Sequence, residues 1–83
     1  MNKKPLIIKD YSKVVAKDKY LLLFKKRERF VISYRYILAL FISNKVTINL
    51  YSLMAISQKL PIFIIDGNGS ILSKITKVKN ERV

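Results

Sequence analysis

Apolar residues fall in short runs separated by polar breaks: Leu6 to Ile8, Val14 to Ala16, Tyr20 to Phe24, Phe30 to Ile32, Ile37 to Ile42, Val46 to Ile48, Ile62 to Ile65 and Ser70 to Ile75. Runs of this length bounded by turn-forming residues predict short β-strands. The breaks Asp10 to Ser12, Lys17 to Lys19, Lys25 to Arg29 and Ser43 to Lys45 are polar. Asp66-Gly67-Asn68-Gly69 carries the clearest hairpin signal, because Gly and Asn accept the left-handed backbone that a tight turn requires. One stretch departs from this rhythm. From Asn49 the apolar positions fall at Leu50, Leu53, Met54, Ile56 and Leu60, which is helical spacing, with Ser52, Ser57, Gln58 and Lys59 largely opposite. Thr47 or Asn49 can cap this helix, and Pro61 ends it for want of an amide hydrogen. At this size its apolar stripe is expected to be core. The expected fold is therefore mostly β (α+β), a small antiparallel sheet or sandwich of about seven short strands, with one amphipathic helix near residues 49–60 covering a face. Residues 1–75 form one β-domain, and residues 76–83 read as a basic C-terminal tail or the start of a linker.

With 83 residues the chain has room for one core. Its hydrophobic share of 51% is too high for a disordered tail, so it should fold. The longest uninterrupted apolar run, Tyr36 to Ile42, is far short of the roughly twenty residues needed to cross a membrane. Met1-Asn2-Lys3-Lys4 is followed by too few apolar residues for a signal peptide, and the expected location is the cytoplasm. A domain of this length buries only about 60% of its unfolded surface. Tyr20 to Phe24 and Ile37 to Ile42 look too apolar on both faces for one helix to cover, so a second copy is expected to cover the rest.

Charge narrows the function. Seventeen Lys and Arg stand against five Asp and Glu, a formal charge of +12 that calls for an anionic partner. Residues 1–35 hold eleven of the cations, interleaved with Tyr11 and Tyr20, which could stack on unpaired bases. The basic positions are Lys3, Lys4, Lys9, Lys13, Lys17, Lys19, Lys25, Lys26, Arg27, Arg29 and Arg35. The plainer alternative is a solvated, Lys-biased surface. Glu28 and Glu81 are the only glutamates, which is too few for ion-pair networks.

Zero Cys and zero His remove thiol nucleophiles, disulfides, zinc fingers and imidazole catalysis. Asp66 beside Gly67, Asn68 and Gly69 reads as a turn rather than an ion loop, since an ion needs several oxygen ligands. Asp10, Asp18, Glu28, Asp66 and Glu81 fall at turns or ends, so no convergent carboxylate pair is expected. No P-loop or dinucleotide fingerprint occurs. The sequence predicts no catalytic residue, no metal, no cofactor and no small-molecule substrate.

Three segments carry a resemblance: LIIKDYSKVVAKDKYLLLFKKRERFVI, then ILALFISNKVTI, then NLYSLMAISQKLPIFIIDGNGSIL. In order and spacing they resemble the N-terminal β-domain of CRISPR-associated protein 1, the integrase of spacer acquisition. The matches are Val31 to Ile37 as a strand, Ile42 to Ile48 as a turn into the helix, and Leu60 to Gly69 as the closing strand and hairpin. The likeness spans roughly residues 5–75. It implies a domain that pairs with a second copy and lies along captured DNA.

In that family the metal-binding Glu, His and Asp lie in a helical domain after the β-domain, and none of them can be placed on this chain. The resemblance therefore implies a non-catalytic dimerisation and DNA-positioning domain, either a fragment or a short homologue. The alternative is a stand-alone homologue that binds a full-length integrase and regulates or inhibits CRISPR adaptation. Some members use a tyrosine in the first turn as a wedge at the duplex end. Tyr11 is the matching position, with Tyr20, Tyr34 and Tyr36 as rivals. The expected DNA-binding residues are Lys9, Tyr11, Lys13, Lys25, Lys26, Arg27, Arg29 and Arg35, facing double-stranded DNA with splayed or single-stranded ends.

Overall fold

The computed structural model of the chain describes residues 2–77. Its elements run β1 (Lys4–Ile8), β2 (Lys13–Ala16), β3 (Tyr20–Lys25), β4 (Glu28–Ser33), a 3₁₀ turn (Tyr34–Tyr36), β5 (Ile37–Ser43), β6 (Thr47–Ile48), α1 (Leu50–Ser57), β7 (Ile62–Ile65) and β8 (Ile71–Ile75). They form two four-stranded sheets, one ordered β1-β5-β7-β8 and the other β4-β3-β2-β6. The mostly-β reading with one helix holds. Strand direction needs correcting, because β1–β5, β5–β7 and β2–β6 are parallel while β2–β3, β3–β4 and β7–β8 are antiparallel. Parallel neighbours need a crossover. The segment from β2 to β4 supplies it between β1 and β5, building the second sheet on the way.

Local chemistry explains most boundaries. Pro5 lies on β1, an edge strand, at the point where the β1–β5 register shifts between Lys4 and Leu6. A missing amide hydrogen is tolerated there. The resemblance leads one to expect a strand through Val31 to Ile37, yet the strand stops at Ser33. The Ser33 hydroxyl accepts from the Arg35 amide, and the 3₁₀ turn carries the chain from one sheet to the other. Asp66 Oδ1 accepts from the amides of Asn68 and Ser70, and Gly69 has φ +86°. Asp66 thus closes the turn through Oδ1, as an Asx turn does. The tail expected at residues 76–83 falls mostly outside the described residues.

One cluster joins the inner faces of both sheets: Ile8, Val14, Leu21, Leu23, Ile37, Leu40, Ile42 and Ile62, with Ile56 of α1 and Leu60 just after it. The helix begins where Asn49 Oδ1 accepts from the Ser52 amide at 2.7 Å, so Asn49 and not Thr47 is the cap. The apolar stripe of α1 is only partly core. Leu53, Ile56 and Leu60 face inward, but Leu50 is 70% and Met54 58% exposed, and Ser52 and Ser57 are buried in their place. A long-range bond accompanies this roll: the Ala16 amide of β2 donates to Ser52 Oγ at 3.1 Å. The small serine face lies against the sheet with Leu53 and Ile56, and Leu50, Tyr51 and Met54 stay outside.

The sheets' outer faces also keep apolar rows. On the first sheet Ile7, Phe41 and Phe63 lie side by side, with the two Phe rings stacked at 4.8 Å. On the second, Val15, Leu22 and Val31 are in register. Among the described residues no helix is long and apolar enough to cross a membrane.

Candidate nucleic-acid interface

The β3–β4 hairpin closes with Lys25 opposite Glu28, leaving Lys26 and Arg27 as its two-residue tip. Lys26 has φ +52°, a left-handed conformation that suits glycine better than lysine. A two-residue hairpin turn requires this backbone at its first tip residue.

Next to the tip, strand register sets a row across three strands: Lys13 on β2 pairs with Phe24 on β3, which pairs with Arg29 on β4. Lys13 Nζ lies 5.6 Å from the Phe24 ring centre. A ring under an ammonium holds the cation in place while leaving it in solvent. The β1–β2 loop folds onto the same end. Ser12 donates to the Phe24 carbonyl from both its amide (2.8 Å) and its hydroxyl (3.0 Å). These bonds set Tyr11 edge-on to Phe30, with ring centres 5.7 Å apart, and Lys25 Nζ lies 5.8 Å from the Tyr11 ring centre. Tyr11 is half-buried and the cations around it are exposed.

Six of the eight expected contacts therefore meet at one end: Tyr11, Lys13, Lys25, Lys26, Arg27 and Arg29. Lys9 and Arg35 do not. Lys9 borders an apolar depression on the outer face of the first sheet, with Pro5, Ile7, Phe41, Ile65 and Gly69. Arg35 sits in the 3₁₀ turn at the far end of β4.

There it meets residues that sequence reasoning did not single out as a group. Tyr34 donates its hydroxyl to the Lys17 carbonyl at 3.1 Å, and Lys59 Nζ lies 5.2 Å from the Tyr34 ring centre. Burial, and secondarily the Asp18 carboxylate, raises the Tyr34 pKa above 10.0, so the phenol stays a neutral donor. Of the tyrosines weighed for the wedge, only Tyr11 lies at the hairpin tip, since Tyr20 opens β3 at the opposite end and Tyr34 and Tyr36 form the 3₁₀ turn. The aromatic platforms Phe24 and Phe30 were also missed. Only register shows that they stand beside the basic side chains.

No protein-family model and no curated protein matches the sequence. Solved structures do. The fold is similar to a CAS1 protein from Thermotoga maritima (TM-score 0.77, 17% identity, 89% of this chain and 24% of that one). It is similar to a chain of a partial Cas6-RT-Cas1–Cas2 complex (TM-score 0.76, 19% identity, 93% and 24%). A casposase bound to integration product also matches (TM-score 0.62, 19% identity, 88% and 25%). The chain thus has a fold found within Cas1 proteins and spans about a quarter of the length of these structures.

Proposed function

We propose that this chain is a DNA-holding domain of CRISPR spacer-acquisition machinery, which aligns duplex DNA at the β3–β4 hairpin end and leaves bond-breaking to other polypeptide. The observation that carries this reading is the convergence of Tyr11, Lys13, Lys25, Lys26, Arg27 and Arg29 at one hairpin, with Phe24 and Phe30 supporting the cations and the tyrosine. Cations there would neutralise phosphates without reading sequence. Tyr11, next to them, would stack at a frayed duplex end. The likeness in fold to a casposase bound to integration product supports a setting in which such a domain meets DNA.

The outer apolar rows, Ile7, Phe41 and Phe63 on one sheet and Val15, Leu22 and Val31 on the other, are half-buried apart from the exposed Ile7 and Val31, and they favour a protein contact beside the DNA contact. A second copy is the first candidate and an intact integrase the second, and the cytoplasm is where both would be met. The test is binding of labelled blunt and splayed duplexes over a salt series, with light scattering on the same samples. The expected result is a dimer whose affinity falls steeply with salt and which prefers splayed ends. A monomer indifferent to DNA at low salt would sink the proposal. Mixing with a full-length integrase separates the two partners, because an inhibitory homologue would form heterodimers and lower integration.

A further inference from the structure

The end of the molecule opposite the hairpin tip carries its own basic surface, assembled from the β2–β3 turn, the 3₁₀ turn and α1. Two open depressions meet there, of about 370 and 350 Å³. Both are lined by Asp18 and Lys59; the first adds Lys17 and Tyr51, the second Lys19, Tyr34 and Arg35. Four exposed cations, Lys17, Lys19, Arg35 and Lys59, face the single carboxylate of Asp18. Tyr34 is tied to the Lys17 carbonyl, and Lys59 rests over the Tyr34 ring.

From this placement we infer that the α1 end is a second phosphate-contacting site, engaged by the same duplex that occupies the hairpin end. This rests on the hairpin end being a DNA contact. The geometry sets a length requirement. β3 runs the whole way between the two ends, and its six residues at about 3.3 Å each span roughly 20 Å. Phosphates along one DNA strand are about 3.4 Å apart in rise, so the two ends are separated by about six base pairs. A duplex much shorter than that touches one end only, and a longer one touches both. A polyanion suits this surface because its four cations, Lys17, Lys19, Arg35 and Lys59, are spread over three segments around shallow depressions and are answered by Asp18 alone.

The test measures affinity against salt for two hairpin-capped duplexes, of about 3 and about 18 base pairs, with the whole chain and with its Lys17→Ala/Lys19→Ala/Lys59→Ala variant. All three side chains are exposed, so the variant should fold. For the unaltered chain the salt slope should be steeper on the long duplex. In the variant that slope should fall by about 2 to 3, at about 0.9 per lost phosphate contact, while the short-duplex slope stays within about one contact of its original value. Equal slopes for the two lengths in the unaltered chain overturn the inference. So does a variant that leaves the long-duplex slope intact, which would place these cations away from the duplex. A variant that lowers both slopes equally overturns it too, since both duplexes would then share one site. If the unaltered chain binds neither duplex, the reading of the hairpin end falls along with this one.

Discussion

The two basic ends carry similar charge but are built differently. The hairpin end comes mostly from one stretch of chain, Tyr11 to Phe30, in which adjacent strands pair in antiparallel register and put Lys13, Phe24 and Arg29 in one row. The α1 end collects Lys17, Arg35 and Lys59 from three separate segments and depends on a hydrogen bond between Ser52 and Ala16 to hold the helix there. A local hairpin can present a cation even on a strained backbone, as at Lys26. A composite surface lasts only as long as its tertiary contacts, so the two ends should respond to different substitutions.

The largest effect is expected from neutralising the hairpin. Changing Lys25, Lys26, Arg27 and Arg29 together to Ala should flatten the salt dependence of duplex binding by about 3 to 4, if each touches one phosphate. An unchanged slope would move DNA off this end altogether. Ser52→Ala should strike the other end, because it leaves the buried Ala16 amide without its acceptor, at about 1–3 kcal/mol of stability. Hydrogen exchange should quicken first in α1 and β2. Equal loss of protection in the β3–β4 hairpin would show that the ends are not separable.

Tyr11→Ala should weaken binding to splayed ends more than to blunt duplex, by about 1 kcal/mol or more, whereas Tyr36→Ala should not discriminate. The same loss on both substrates would leave Tyr11 a packing residue for Phe30. Lys26→Gly should stabilise the chain by about 0.5–1 kcal/mol in a urea melt through relief of the left-handed turn, while costing one phosphate contact. A less stable variant would mean that the tip is not strained.

The smallest effect concerns Tyr34, whose pKa is raised in the folded chain. The folded state holds that proton more tightly, so its contribution is fully present below 10.0 and is lost as pH rises through the higher folded value. Tyr34→Phe should therefore show a shallower loss of stability in alkali than the parent. Parallel curves would contradict the burial argument.

Much of the fold was legible in the sequence because its signals are local. Short apolar runs between polar breaks marked the strands, Asp66 to Gly69 marked the last turn, and Asn49 and Pro61 bracketed the helix. Most of the hairpin site was legible for the same reason, its cations and aromatics being close neighbours along the chain. The grouping of Lys59 with Tyr34 and Arg35 left no local trace, nor did the placement of Lys9 on the outer face of the first sheet.

By itself, then, the sequence determined that these 83 residues make a strongly cationic, mostly β-domain with one helix and without cysteine or histidine. Only tertiary structure decided that half the strand pairings run parallel, that α1 rolls onto Ser52 and Ser57 instead of Leu50 and Met54, and that Lys59 joins Lys17, Lys19 and Arg35 at one end. The reason is physical. Strand period, turn chemistry and helix caps depend on residues a few positions apart. Pairing direction and helix roll depend on contacts such as Ala16 to Ser52, 36 residues apart, which no short window of the chain contains.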